Sequence, residues 1–328
     1  MGDFSKKDLG ILYELTANSR SPLNKIAKKL KMSQQGLGYR ISKLQQEGTI
    51  LAFYTLFDYS CFGYQNYRVF LNVNHTKQEN LEPLLQYLSN QSCVVSIIEC
   101  GGKWDLIIAF ATKNASRFKK ELHALMARFP KLIRNYSVLT TIVMHELGRK
   151  YLVDHSAHTG TIIVGGDRDH MNVDRIDNKL MHDLYENPRT AYVHMAAKHK
   201  LTPKTVIMKI KNLETKGIIK GYSSVVDCGK YSFLAHKILI RYHNLSLEKE
   251  DELMKFCRQH KNVLRFSKVL GEWDVELDTE TKDTLELQKI CLTLRRHFGE
   301  IIKDMELCPV FKSHKSSYIP QSFFLENI

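Results

Sequence analysis

Apolar residues recur through residues 33–50, SQQGLGYRISKLQQEGTI, at the spacing of a short amphipathic helix. Leu37, Ile41 and Leu44 stand at i, i+4 and i+7 and share one stripe. Gln35, Tyr39, Ser42 and Lys43 fall on the other face, with side chains suited to the edge of a nucleic-acid groove. Gly48 follows, where a left-handed residue closes a helix. Upstream, PLNKIAKKLKM places Leu23, Ile26, Ala27 and Leu30 inward, and Ser33 then takes an N-cap position. Two such helices joined by a tight turn read as a helix-turn-helix, or as any two helices of a bundle.

The pattern is written twice. Laying Asp8 on Asp177 also lays Asn18 on Asn187, Arg20 on Arg189, Ile41 on Ile210 and Leu44 on Leu213. The same offset lays Gly48 on Gly217 and Asp58 on Asp227. Further on, it brings Gly102, Trp104 and Asp105 onto Gly271, Trp273 and Asp274, and Phe129 onto Phe298, without a gap. Glycines and a Trp-Asp pair in one frame indicate an internal duplication.

Each copy divides in two. The first part carries three helical patterns and a short strand pair; in copy two, GIIKGYSSVVD alternates as a small wing does. The second part reads β-α-β-β-α-β, the ferredoxin-like order: RVFLNVN, LEPLLQYLSN, VVSIIEC, WDLIIAFAT, RFKKELHALMARF and IRNYSVLTTIV, then the same series in copy two. The expected class is α+β, two winged helix-turn-helix domains alternating with two ferredoxin-like domains. The expected boundaries are residues 1–60 and 174–230 for the heads and 61–153 and 231–318 for the ferredoxin-like units. A glycine-bearing linker is expected at 154–173, in which TIIV suits a strand of either neighbour, and a tail at 319–328.

Charge sharpens the picture. The 328 residues carry a net +13, which points to a polyanionic partner such as nucleic acid. Lys and Arg outnumber Asp and Glu in both heads, 9 to 5 over residues 1–60 and 11 to 6 over 174–230. The seven cysteines include no C-x-x-C and several sit in apolar runs, which suits a reducing cytosol and no structural zinc. No apolar run is long enough for a membrane span, and MGDFSKKDLG lacks a signal-peptide core. There is no Walker loop, no G-x-S-x-G and no H-E-x-x-H, the histidines do not cluster, and no cofactor or metal is expected.

These residues resemble the leucine-responsive/asparagine-regulator family of transcription factors, Lrp/AsnC. The opening motif D-x-x-I-L-x-x-L-x-x-N-x-R is matched by DLGILYELTANSR and DNKLMHDLYENPR. The wing motif G-x-I-x-x-Y is matched by GIIKGY in copy two, while GTILAFY in copy one has Phe53 at the aromatic place. The Gly-x-Tyr/Phe-Asp turn is matched at Gly102–Asp105 and Gly271–Asp274, with Trp as the aromatic. The resemblance implies a DNA-binding transcriptional regulator with effector domains. Family members are normally single copies that dimerise, so this chain looks like a covalent pseudo-dimer.

The residues expected to face DNA are Ser33, Gln34, Gln35, Tyr39, Arg40 and Lys43 in copy one, and Thr202, Lys204, Met208, Lys209 and Lys211 in copy two. Arg40 matches the family's recognition-helix arginine, whereas copy two has Lys209, which lacks the bidentate fork. Ile207 and Met208 suit thymine methyls or packing on protein. The resemblance also implies a site for an amino acid or similar effector near Gly102, Trp104, Asp105, Gly271, Trp273 and Asp274. The two carboxylates suit an effector amine or backbone amides, and the two indoles suit core or interface. Double-stranded DNA, a small effector and self-association of chains are the expected partners. An architectural DNA binder is the second reading. A sirohaem-decarboxylase-like enzyme is the third, but the H-N-Y-x-R strand motif of such enzymes is missing at VSIIECGG and RFSKVLGE.

Overall fold

The computed structural model describes residues 4–74, 81–153, 160–244 and 246–326. It is a mixed α+β structure. Helices α1 (Lys6–Ala17), α2 (Leu23–Lys29) and α3 (Gln34–Gln46) lead into strand β1 (Ile50–Phe57). Helices α6 (Arg175–Glu186), α7 (Tyr192–His199) and α8 (Pro203–Thr215) lead in the same way into β7 (Ile219–Val226). The predicted stripe is the buried one: Leu37, Ile41 and Leu44 join Ile11, Leu12, Leu15 and Ile26 in one core. In the second trio Val206, Ile210 and Leu213 pack with Leu180, Met181 and Leu184. Gly48 and Gly217 close the two recognition helices at φ 71° and 73°, a backbone that any Cβ would strain.

The strand pair expected within each head is not formed. Each trio supplies a single strand, and β1 pairs antiparallel with β7 across the chain, Tyr54 opposite Ser223 and Thr55 opposite Tyr222. A lone strand leaves its hydrogen-bonding edge unpaired, and the related strand of the other copy satisfies it. The heads are also bolted side to side. The Thr55 hydroxyl donates to Leu184 O at 2.7 Å, Ser223 donates to Thr16 O at 2.7 Å, and the Arg20 guanidinium lies 4.3 Å over the Tyr192 ring.

Strands β2 (Gln65–Val73), β3 (Val94–Cys100), β4 (Leu106–Thr112) and β5 (Ile133–Glu146) alternate with α4 (Leu81–Asn90) and α5 (Ala115–Arg128) in the ferredoxin-like sequence. Strands β8 (Leu234–Tyr242), β9 (Val263–Leu270), β10 (Val275–Thr281) and β11 (Ile302–Ser316) do so with α9 (Leu247–Gln259) and α10 (Thr284–Phe298). The sheet order is β2-β4-β3-β11-β8-β10-β9-β5, and β5 returns to pair with β2. Eight strands therefore close a ring. Its two seams, β3 with β11 and β5 with β9, each join one copy to the other. The helices cover the outside of the ring over two apolar cores, and Phe70, Cys100, Trp104, Leu139, Leu239, Trp273 and Cys308 form a third core.

The segment TIIV contributes β6 (Ile162–Gly165), which extends the sheet from β5. The end of the chain, expected as a tail, is packed: α11 (Gln321–Glu326) carries Phe323 and Phe324 into the core beneath the second head, beside Ile319. Six of the seven cysteines are buried and Cys291 is half-buried, all as free thiols.

Candidate nucleic-acid interface

Helix α3 begins at Ser33, whose hydroxyl accepts from Gly36 N at 3.0 Å. Helix α8 begins at Thr202, which accepts from Thr205 N at 3.1 Å, and Pro203 follows at the first helical position. Pro has no amide to leave unsatisfied there. With one stripe of each helix held in the core, the opposite face turns to solvent. In copy one that face carries Ser33, Gln34, Gln35, Tyr39 and Lys43, all exposed, with Tyr39 at 71%. In copy two it carries Thr202, Lys204, Met208 and Lys211, all exposed, with Met208 at 63%. Amide, hydroxyl, ammonium and apolar tips on one helical face can meet base edges, phosphates and thymine methyls.

Arg40 and Lys209 stand apart. Both are half-buried, and each is held inside its own head. Arg40 Nη1 lies 2.6 Å from Asp8 Oδ1 and 3.2 Å from Ser5 Oγ. Lys209 Nζ lies 2.6 Å from Asp174 Oδ2 and 3.0 Å from Asp177 Oδ1. Ser5 and Asp174 are the N-caps of α1 and α6, and Asp8 and Asp177 are their third residues. The cation of the recognition helix therefore brackets the start of the first helix, where carboxylates already favour the helix dipole. Burial opposes the charge of Asp8, but hydrogen bonds from Ser5 and Arg40 prevail and hold its carboxyl below the usual range. Asp174 is likewise lowered: burial works against it and Lys209 outweighs it. The partner pattern was legible, because Asp8 and Asp177 share the repeat frame with Arg40 and Lys209.

The six residues assigned to an effector sit at the two hairpin turns of the ring. Trp104 and Trp273 are buried in its core. Asp105 Oδ2 accepts from Val73 N at 2.7 Å, and Asp274 Oδ2 accepts from Tyr242 N at 2.7 Å. Both carboxylates thus serve the ends of neighbouring strands β2 and β8. Gly102 has φ 89°, and at Gly271, φ 148°, a Cβ would come within 2.7 Å of Val138 O. Glycine is required there by the approach of β5. The turns also meet each other: Lys103 Nζ lies 3.7 Å from Glu272 Oε1. These contacts account for the residues as a seam between the copies.

A feature that motif reading passed over lies on β10. Its sequence VELDTET alternates, and Glu276, Asp278 and Glu280 all face away from the helices. Glu276 pairs with Arg68 and Lys237. Lys237 also reaches Asp278 at 2.6 Å, and Arg265 links Asp278 at 2.8 Å to Glu146 at 2.7 Å. Arg149 holds Glu280 with two bonds of 2.9 Å, and Tyr151 donates to the same carboxylate. Burial opposes ionisation of Glu276 and Asp278, but the Arg and Lys neighbours dominate and keep both carboxyls below their ordinary range. The array borders a cavity of about 1100 Å³ between the β1–β7 sheet and one end of the ring. The signal was the strand itself, since copy one has LIIAFAT in the same frame.

His155 and His158 lie outside the described residues. Among the described residues no three His, Cys, Asp or Glu side chains gather as a metal site, and no helix is long and apolar enough to cross a membrane.

Comparison with known proteins agrees with the heads. The winged helix-turn-helix DNA-binding family matches residues 4–50. The HTH-type transcriptional regulator LrpB of Bacillus subtilis is 30% identical over 102 residues, 31% of this chain and 67% of that protein. The regulatory protein AsnC of Haemophilus influenzae is 23% identical over 133 residues, 40% of this chain and 86% of that protein. An uncharacterised HTH-type transcriptional regulator of Pyrococcus furiosus is 27% identical over 131 residues, 39% of this chain and 83% of that protein. The crystal structure of the siroheme decarboxylase NirDL shares the fold end to end, with a TM-score of 0.59 over 98% of both chains at 14% identity. By its helix-turn-helix sequence and its curated relatives, this chain belongs to the Lrp/AsnC family of transcriptional regulators.

Proposed function

We propose that the chain is a sequence-specific DNA-binding regulator whose two heads act as one covalent pseudo-dimer. The heads are residues 1–60 and 174–230, carried on ferredoxin-like units 61–153 and 231–318. Segment 154–173 connects the copies, and within the last segment, 319–328, Ile319, Phe323 and Phe324 pack under the second head. The observation that carries this reading is the outward polar face of α3 and α8, displayed by two basic heads that are joined through β1 and β7. Gln34, Gln35 and Tyr39 supply base-edge contacts in copy one. Thr202, Lys204, Met208 and Lys211 meet phosphates and methyl groups in copy two, and Lys43 meets a phosphate. Arg40 and Lys209 act mainly by holding the recognition helices in place.

The test is a binding series on specific and scrambled duplexes. Two basic heads making about 6–10 phosphate contacts lose roughly 10³–10⁵ in affinity between 50 and 200 mM salt. A flat salt response removes the nucleic-acid role. Equal affinity for both duplexes at matched salt leaves an architectural binder instead.

We do not carry the activity of the siroheme decarboxylase over to this cavity. A tetrapyrrole with many carboxylates needs several uncommitted cations, and of the four that line the cavity Arg149, Lys237 and Arg265 are paired with Glu280, Glu276, Glu146 and Asp278, which leaves Lys312. We therefore read the chain as a binding protein and not an enzyme.

A further inference from the structure

We infer that the cavity between the β1–β7 sheet and the ring is a binding site for an uncharged or zwitterionic small molecule with an apolar, ring-bearing body. This deepens the regulator reading by naming an effector class and its place, away from the glycine-tryptophan turns.

The first support is a control built into the chain. The repeat frame lays Glu276, Asp278 and Glu280 on Ile107, Ala109 and Ala111 of β4, and Arg265 on Ser96. On that side of the ring, Ala109 and Ala111 share an apolar cluster with Ile319, Phe323 and Phe324 from the end of the chain. The protein's own aromatic residues thus fill one end. The described residues leave the related end open, with a charged wall that the fold itself does not demand. Buried ion pairs are seldom more stabilising than apolar packing of the same volume, so stability gives no reason for this wall.

The wall also sets the ligand's charge. Arg149, Lys237, Arg265 and Lys312 line the cavity, and so do Glu146, Asp227, Asp278 and Glu280. The four cations and four carboxylates leave the lining without net charge, so burying a charged ligand brings a desolvation cost that the wall as a whole does not repay. The apolar share comes from Leu51, Leu56, Ile98, Ile162, Phe233 and Phe311.

The experiment uses the full chain and a matched pair of fluorophores. N-phenyl-1-naphthylamine is neutral, and 8-anilinonaphthalene-1-sulfonate has the same body with an anionic group. The neutral probe is expected to saturate at one per chain and to bind roughly 10-fold or more tighter than the sulfonate. Leu51→Trp adds a ring from the partly exposed rim, and Ile98→Trp adds one from the ring wall, so one folding failure leaves the other to decide. Each weakens the neutral probe roughly 10-fold or more, while Leu285→Trp on exposed α10 does not. Asp227→Asn keeps the turn cap, leaves the lining with one net positive charge, and narrows the preference over the sulfonate. Binding without saturation, or binding unmoved by both lining tryptophans, overturns the site. Equal affinity for the two fluorophores overturns its assigned charge. The titration contains no DNA, so its failure is distinct from failure of the regulator reading.

Discussion

Strands β4 and β10 occupy the same place in the two copies and are built from opposite materials. LIIAFAT buries its inner face against apolar neighbours, whereas VELDTET carries three carboxylates, two of them buried, that need Arg68, Lys237, Arg265 and Arg149 to hold them. Both strands turn apolar residues outward, Leu106, Ile108 and Phe110 toward α5 and Val275 and Leu277 toward α10, although Thr279 stands where the frame has Phe110. The difference separates what a strand needs in order to fold from what its position has been given to do. The outer face is under the constraint of the helix cover and stays apolar through its first half. The inner face is released from it and has diverged.

The sharpest way to break this comparison is to make β10 resemble β4. Glu276→Ile alone should destabilise the protein by about 3–5 kcal/mol, because Arg68 and Lys237 lose a fully buried partner. The triple change Arg68→Met, Lys237→Met and Glu276→Ile should recover most of that loss in urea unfolding. A single variant costing under about 1 kcal/mol would show that the array is not a buried tie.

Acid should act on the same array. Glu276 and Asp278 have folded pKa values below their unfolded ones, because their Arg and Lys neighbours outweigh burial. Their contribution is therefore present above about pH 4 and is lost as pH falls through the folded values. Urea midpoints measured from pH 6 to pH 2 should drop, and the triple variant should drop less. Parallel pH profiles for the two proteins would place the acid sensitivity elsewhere.

The heads offer a smaller contrast. Arg40→Ala should cost up to about 1 kcal/mol of stability, since the pair with Asp8 is part exposed and screened. A double-mutant cycle with Asp8→Asn should recover a coupling of about 0.2–1 kcal/mol. If Arg40 instead reads a base, its loss will relax sequence preference at one position while Asp8→Asn leaves preference unchanged. Gly38→Ala is the mildest change. A Cβ there meets nothing within 4 Å, so the helix should gain about 0.5–1 kcal/mol. A simultaneous fall in DNA affinity would show that Gly38 keeps the backbone close to the duplex. Copy two, with Ile207 at the related place, lacks that approach.

Local periodicity carried the α+β class and the helical stripes far, because Leu37, Ile41 and Leu44 face a core wherever the helix sits. The wing was misread for a physical reason. Alternation in GIIKGYSSVVD announces a strand but does not name its partner, and the partner lies in the other copy. Asp105 and Asp274 were legible as polar groups beside a turn, yet only the fold shows Val73 and Tyr242 amides reaching them. The charged face of β10 escaped because the copies were compared for what they share. Its three acids stand in plain alternation, at the positions where the frame holds Ile107, Ala109 and Ala111.

The closed ring has a consequence for synthesis. The edges of β3 and β5 wait for β11 and β9, which are translated much later. At about 5–20 residues per second, β3 stays without its neighbour for roughly 10–40 s on the ribosome. An unpaired edge in that interval invites pairing with another chain. The first copy of a neighbouring nascent chain offers the related strands, so exchange between chains on one message competes with closure within each. Slower translation of the second copy should therefore raise the share of interlinked chains, which size-exclusion of freshly made protein would reveal.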